Sequence, residues 1–362
     1  MARTASLDLT VVAKELENHG TPETSKAMLE FDALVQSGRF SWSSNIRLIR
    51  PIGSGGQGVV FLGERVGADA FQKSVAVKFF SPESYSSIDA YDISMQQLSR
   101  IASIVAQIRH HNLLIVDHFL NRDRIRIMVM DRVKGFDLRS LMTFQQYGRL
   151  EDRVSQKRWN SINQNLVTTG AVQPKLRPRV VVALLQDALN GLSALHECGV
   201  VHADMKPSNM MISSHGSLKL VDIGSAIEMD SDFESRNGCT PSYASVKILS
   251  GETPTVNSDL ESLGYTMLEL LLGRPLFNES ADLENLIAAK TSLKNGLPNW
   301  VSNENDGVEE NLFEFCQNLL NADESESAER LLADPLFQNA DFESRSLMQV
   351  WIEELLELEG PN

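Results

Sequence analysis

The stretch from Val201 to Gly224 constrains this chain more than any other. It reads Val-His-Ala-Asp-Met-Lys-Pro-Ser-Asn over 201–209, followed by an apolar run, Met210-Met211-Ile212, and a Ser-Ser-His-Gly turn at 213–216. A second apolar run, Leu218-Lys219-Leu220-Val221, ends in Asp222-Ile223-Gly224. Two short apolar runs around turn residues predict a β-hairpin. That hairpin brings Asp204, Lys206, Asn209 and Asp222 to one end, so that carboxylates, an amide and an amine converge. Phosphoryl transfer from a nucleotide needs this set: a carboxylate for the incoming hydroxyl's proton, and an amide plus a second carboxylate to hold Mg²⁺ against the phosphates.

A second constraint lies upstream. Arg47-Leu48-Ile49 leads into Pro51-Ile52-Gly53-Ser54-Gly55-Gly56-Gln57-Gly58-Val59-Val60-Phe61-Leu62-Gly63. Glycines at this spacing are weak evidence alone, because a dinucleotide-binding βαβ unit carries the same letters. That unit requires a helix directly after the glycines. Here β-branched Val59-Val60 follows, then Ser74-Val75-Ala76-Val77-Lys78-Phe79-Phe80, a second strand pattern with an embedded lysine.

Composition narrows the partners. A formal charge of −15 over 362 residues is the reverse of the basic surface that phosphate-backbone binding needs, so nucleic acid is not expected. Cys198, Cys239 and Cys316 have no C-x-x-C spacing, which supports neither a disulfide framework nor a zinc site and suits a reducing, cytoplasmic setting. The first residues lack a signal-peptide core, and apolar runs such as 180–185 and 268–272 are far below the roughly 20 residues of a membrane span.

Taken in order, Gly53, Gly55, Gly58, Lys78, Asp204, Asn209 and Asp222 resemble the motif positions of eukaryotic-like serine/threonine protein kinases. The resemblance covers roughly 45–338 and implies an α+β, bilobal fold: a small antiparallel β-sheet N-lobe over 45–131 and a mainly helical C-lobe over 132–338. It implies ATP and Mg²⁺ as cofactors and serine or threonine hydroxyls of proteins as acceptors. Asp204 would be the base or hydroxyl-positioning group, Lys206 would neutralise the γ-phosphate, and Lys78 would pair with the α- and β-phosphates. Asn209 and Asp222 would hold the metal. The nucleotide would meet Gly53, Gly55, Gly58, Val60, Ala76, Lys78, Met130, Asp131, Val133, Asp137 and Met211, with Met130 as gatekeeper and Asp137 near the ribose hydroxyls.

The departures matter as much. The expected lysine-orienting helix, 88–108 with apolar Ile93, Leu98, Ile101, Ile104, Val105 and Ile108, has no acidic residue between Asp92 and Asp117. Gln96, Gln97 or Asp92 would have to orient Lys78, and a glutamine amide cannot form an ion pair. Ala203 stands where most such kinases carry arginine, so a phosphate switch on the activation loop is not expected. Ile223 replaces phenylalanine beside Asp222. The run Tyr243-Ala244-Ser245-Val246-Lys247 lacks the Ala-Pro-Glu triplet, and Ser325 lies where its arginine partner would be. Asp259-Leu260-Glu261-Ser262-Leu263-Gly264-Tyr265 and Tyr243-Ala244-Ser245 are similar to the casein-kinase-one and vaccinia-related group, whereas His-Ala-Asp and Asp-Ile-Gly are similar to bacterial kinases of the eukaryotic type. Asp259 is expected to brace the catalytic-loop backbone. Two readings follow: an active protein kinase, or a pseudokinase or weakly active scaffold that binds nucleotide.

The flanks complete the organisation. Residues 1–44 read as an extension with helical patterns at 7–16 and 27–35 that pack on the body. The basic segment 147–179 reads as an exposed insertion, with recognition of acidic substrates as its sharper alternative. An apolar helix over 180–198 is expected beneath the catalytic loop. The terminal region 339–362 holds an acidic amphipathic helix, 346–358, expected to pack back; either terminal helix is a candidate site for a regulatory partner.

Overall fold

β-Branched and aromatic residues from Val75 to Phe80 are buried on both faces, which makes their strand the centre of a sheet. In the computed structural model, residues 22–40, 45–229, 239–278, 281–297, 307–338 and 342–359 are described. They form two units, one comprising the chain up to Gln96 with His118–Val129, the other Gln97–Asp117 with the chain from Met130 onward.

The first unit begins with helix α1 (Pro22–Ser37) and strand β1 (Arg39–Phe40). Strands β2 (Ile46–Gly55), β3 (Gly58–Val66) and β4 (Gln72–Phe80) form successive antiparallel pairs. After helix α2 (Ile88–Val105), strands β5 (Val116–Arg122) and β6 (Ile125–Asp131) complete a six-stranded sheet of order β1-β2-β3-β4-β6-β5. Phe31 and Leu34 of α1 join Ile46, Phe61, Val77 and Ile127 in one buried cluster. Each such side chain contributes about 1.5–3 kcal/mol of burial, so α1 is an integral part of this unit. That agrees with the helix expected at 27–35; the one expected at 7–16 lies outside the described residues.

Two strand and helix expectations need correction. In α2 the buried stripe is Ile88, Tyr91, Met95, Leu98, Ile101, Ala102 and Val105, which includes the expected Leu98, Ile101 and Val105, whereas Ile93 is 52% exposed. At 100° per residue, Ile93 falls on the face opposite Tyr91. The strand expected from His111 starts only at Val116, because the preceding backbone is bonded elsewhere: Leu114 N donates to Leu220 O and Leu220 N to Asn112 O.

The second unit opens with strand β7 (Gly135–Asp137) and helices α3 (Leu138–Leu141), α4 (Phe144–Glu151) and α5 (Gln156–Asn165). A two-stranded ladder, β8 (Val167–Thr168) with β9 (Lys175–Leu176), leads to the 20-residue helix α6 (Pro178–Glu197). The segment 147–179 is therefore built of regular elements and is not a bare exposed insertion. Its apolar Trp159, Ile162, Leu166 and Val167 are buried, and Arg177 is bonded to the Asn163 carbonyl.

Helix α6 carries an almost continuous apolar surface from Val180 to Leu195, as expected for a pillar under the catalytic loop. Strand β10 (Val200–Val201), the hairpin β11 (Met210–Ser213) and β12 (Leu218–Leu220), and strand β13 (Ile227–Glu228) follow. Helix α7 (Val246–Leu249) precedes the buried helix α8 (Val256–Leu272), which starts at a Thr255/Ser258 capping box. Helices α9 (Leu283–Lys294), α10 (Gly307–Leu320), α11 (Ala328–Leu331) and α12 (Phe342–Glu359) complete the unit.

Helix α12 buries Met348, Trp351, Ile352 and Leu355, and so packs back as expected. Its Arg345 meets Asp187 of α6 at 2.6 Å, and its Glu354 takes a two-pronged bond from Arg158 of α5 at 2.8 and 3.0 Å. Among the described residues, no helix is long and apolar enough to cross a membrane.

Candidate active site

Antiparallel pairing of Met210 with Leu220 and Ile212 with Leu218 forms the hairpin read from the sequence. Asn209 and Val221 lie just past its open end, where Val221 N donates to Asn209 O at 2.9 Å. Asp204, Lys206 and Asn209 meet directly. Asn209 Nδ2 donates to Asp204 O at 2.8 Å and to Asp204 Oδ2 at 2.9 Å, while Lys206 Nζ lies 2.6 Å from the same Oδ2. Thr240 closes the group: it accepts from Lys206 Nζ at 2.7 Å and donates to Asp204 Oδ1 at 2.8 Å. Both carboxylate oxygens of Asp204 are thus held, which fixes the plane in which the group can accept a proton.

Asp222 takes a left-handed backbone conformation (φ 62°, ψ 83°) and accepts from Gly224 N at 3.0 Å, which turns the chain at the end of β12. Asn209 spends its amide protons on Asp204, so its Oδ1 remains as an oxygen donor beside the hairpin end. Among the described residues, no group of three His, Cys, Asp or Glu gathers as a self-contained metal cage. One carboxylate and one amide oxygen fit Mg²⁺, which characteristically takes one or two protein carboxylates and completes its shell with phosphates and water.

The catalytic segment is held from below by Asp259 of α8, which is 1% exposed. Its Oδ1 accepts from Ala203 N at 2.8 Å; its Oδ2 accepts from His202 N at 2.8 Å and lies 2.9 Å from His196 Nε2. Ala203 itself sits at φ +63°, a strained conformation for a residue with a Cβ. The paired N–H bonds compensate that strain, in agreement with the bracing role expected of Asp259.

In the first unit, the turn between β2 and β3 carries the glycines, with Gly53 opposite Val60 and Gly55 opposite Gly58. At Gly58 (φ +135°) a Cβ would come within 1.9 Å of Phe79 O, so only glycine fits. Above Gly55 nothing lies within 4 Å, and above Gly53 only Val60 Cβ at 3.9 Å. The backbone at Gly53 and Gly55 is therefore uncovered by side chains. Lys78 is 4% exposed, which rules out an ordinary solvent-facing lysine; its Nζ donates to Gln57 Oε1 at 2.8 Å.

The remaining nucleotide candidates fall into the same two groups. Ala76 of β4 is buried, and Val60 of β3 is partly so. Met130 is 5% exposed at the end of β6, and Asp131 N donates to Ile115 O at 3.0 Å. Met211 pairs in register with Asp137 across β11 and β7. Asp137 Oδ1 caps α3 by accepting from Ser140 N at 2.9 Å. Val133, just beyond β6, is half-buried.

Comparison with known families decides the assignment: residues 46–337 match the protein kinase domain family. The chain belongs to the protein kinase family. The kinase is similar to bacterial relatives of the eukaryotic type. It is 27% identical over 256 residues to a probable serine/threonine-protein kinase PknB of Lactococcus lactis, covering 68% of this chain and 35% of the relative. It is 28% identical over 260 residues to the serine/threonine-protein kinase pkn2 of Myxococcus xanthus, covering 69% and 26%. It is 25% identical over 263 residues to the serine/threonine-protein kinase PrkC of Bacillus subtilis, covering 71% and 35%. The chain therefore spans about a third or less of the length of these relatives. None of the three is a casein-kinase-one or vaccinia-related enzyme, and that part of the resemblance rests on its residues alone.

One reading of this kinase is overturned. Asp92 does not orient Lys78; its two oxygens are engaged at 2.6 Å by Arg126 and Arg124. Gln96 is exposed, and the amide of Gln97 is buried without a hydrogen-bond partner. Sequence reasoning missed Gln57, Thr240, His196 and His202. For Gln57 the only available signal was its place inside the glycine turn; for Thr240 it was the Thr-Pro pair that starts the loop before Tyr243.

Further along that loop, the hydroxyl of Tyr243 donates to Glu269 Oε2 at 2.6 Å and is met by Arg139, whose other nitrogen lies 3.1 Å from Glu269 Oε1. Burial and the adjoining Glu269 carboxylate push the Tyr243 phenol upward, so it stays protonated as a donor.

Proposed function

We propose that this protein kinase transfers the γ-phosphate of Mg·ATP to serine or threonine hydroxyls of protein substrates. The observation that carries the reading is the Asp204–Lys206–Asn209–Thr240 group, which holds a carboxylate, an ammonium and a metal-competent amide in hydrogen-bond contact. In this reaction the acceptor oxygen forms a bond to Pγ, the bond from Pγ to the β–γ bridging oxygen breaks, and ADP leaves. Asp204 orients the acceptor hydroxyl and takes its proton. Lys206 faces the transferred phosphoryl group and balances its charge. Lys78 and the open backbone at Gly53, Gly55 and Gly58 hold the non-reacting phosphates.

Asn209 Oδ1 and the Asp222 carboxylate would hold Mg²⁺, which when bound would offset negative charge on the phosphate oxygens. Val60, Ala76, Met130 and Met211 contact the base, backbone groups of Asp131 and Val133 meet its edge, and Asp137 Oδ2 binds the ribose. The lysine two residues after Asp204 supports a serine/threonine acceptor. Three cysteines without disulfides support a reducing, cytoplasmic setting. Phosphoamino-acid analysis of an acid-hydrolysed product tests the acceptor class: phosphoserine or phosphothreonine is expected, and phosphotyrosine alone would contradict it.

The pseudokinase alternative rests on sequence departures alone, Ala203 and the lack of an acidic residue in α2 after Asp92. It predicts nucleotide binding without transfer.

A further inference from the structure

Lys290, in the middle of α9, is wholly buried. Its Nζ lies 3.8 Å from the ring centre of Tyr265 and 4.3 Å from that of Phe277, and it donates one hydrogen bond, to the backbone carbonyl of Ser242 at 2.9 Å. An ammonium in such a place costs several kcal/mol of desolvation, which an apolar residue of equal volume avoids. Its distinctive product is the grip on Ser242.

Ser242 lies two residues past Thr240, the hydroxyl that touches both Asp204 and Lys206. Tyr243 N and Ala244 N both fold back onto Thr240 O, so the intervening turn is short and tight. One turn further along α9, Lys294 meets Glu261 of α8 at 2.7 Å, and Glu261 in turn accepts from Val246 N at 3.0 Å. The loop leaving Thr240 is thus pinned at both ends by α9, directly at Ser242 and through Glu261 at Val246. This pinning stands in the chain segment where the Ala-Pro-Glu triplet is missing.

We propose that Lys290 is a positioning residue for the protein acceptor, holding the 240–246 loop in register with Asp204 through the Ser242 carbonyl. The inference rests on the phosphotransfer reading for the word acceptor, and on geometry alone for the anchor. Lys290 does not touch the reacting atoms, so its removal should act on acceptor use and leave nucleotide binding intact.

The anchor is also expected to respond to pH. Burial pulls the Lys290 ammonium down to about 7. Glu261 on α8 and then Cys239 act against that fall, Lys294 on its own helix acts with it, and the Tyr265 phenol, pushed upward by burial, stays neutral beside it. Loss of the proton turns a charge-assisted bond to Ser242 into a weaker neutral one.

The test compares the full chain with Lys290→Met by two readouts: steady-state phosphorylation of dephosphorylated casein, and hydrogen–deuterium exchange of the 240–247 amides. Lys290→Met is expected to raise the casein KM roughly tenfold, the equivalent of one charge-assisted hydrogen bond, with the KM for Mg·ATP unchanged and faster exchange at 243–246. Unchanged loop exchange, or equal effects on both KM values, would overturn the proposal. Should the variant not fold, wild-type exchange decides: protection of 243–246, corrected for intrinsic rates, should change between pH 6 and 8.5 differently from that of amides remote from Lys290, and a pH dependence shared by both sets would overturn the anchor. A wild type that transfers no phosphate would refute the phosphotransfer reading, while the exchange data would still judge the anchor.

Discussion

The hydroxyl of Thr240 donates to Oδ1 of Asp204 at 2.8 Å. Because the Thr240 hydroxyl oxygen itself accepts from Lys206 Nζ, Thr240 ties base and cation into one rigid unit across 36 residues of chain. Thr240→Val keeps the shape and removes this link. It is expected to lower kcat by about ten- to a hundredfold, the equivalent of a hydrogen bond to a charged group at about 1.5–3 kcal/mol. Thr240→Ser, which keeps the hydroxyl, should stay close to wild type. Steady-state kinetics on both variants check this.

Asp259 satisfies two buried N–H groups and the ring of His196. Asp259→Ala leaves those donors without acceptors at about 1–3 kcal/mol each, so urea unfolding should show a loss of about 3 kcal/mol or more. Asp259→Asn keeps one acceptor oxygen and should lose less. Both should also impair catalysis, since Ala203 at φ +63° would no longer be held beside Asp204.

Helix α12 reaches the back of the catalytic hairpin. Asp187 Oδ2 accepts from Leu218 N at 2.9 Å and from Arg345 at 2.6 Å, and a Cβ on Gly216 (φ +73°) would fall 2.2 Å from Arg345 O. Gly216→Ala therefore forces both backbone strain and a displaced α12. A loss of stability of about 1–3 kcal/mol, with weaker Mg²⁺-dependent nucleotide binding, is expected in thermal melts and titration calorimetry.

Lys290 makes stability depend on pH with a definite sign. Its ammonium, ordinarily near 10.5, is drawn down to about 7 by burial. Between those values the unfolded chain binds a proton that the folded chain does not, so stability rises with pH across that window. Below about 7 the unfavourable contribution is constant. Lys290→Met removes this component of the slope, and chemical denaturation of both proteins from pH 6 to 9 should show a flatter profile for the variant.

The hairpin was legible because two apolar runs, a turn and four polar residues sit within about two dozen positions, where local pairing decides the geometry. The glycine turn was legible because strand patterns follow it on both sides. Asp92 misled because its proximity in sequence to the expected position said nothing of Arg124 and Arg126, which arrive from another hairpin and take both of its oxygens. The fabric of 147–179 was obscured by its basic residues, whose partners Glu354 and the Asn163 carbonyl become visible only in the fold. Lys290 gave no signal: in an amphipathic helix it reads as solvent-facing, and its aromatic box is assembled from Tyr265 and Phe277, on other elements.

The central claim is that Asp204, set among Lys206, Asn209 and Thr240, supports metal-dependent phosphoryl transfer. The most direct measurement is transfer of ³²P from [γ-³²P]ATP to casein by the full chain and by Asp204→Asn, each with Mg²⁺ and with excess chelator. The account predicts incorporation by the wild type with Mg²⁺, and a fall of at least about a hundredfold in Asp204→Asn, in the range of a general-base contribution. Equal incorporation by the two proteins, or background levels in both, would contradict it.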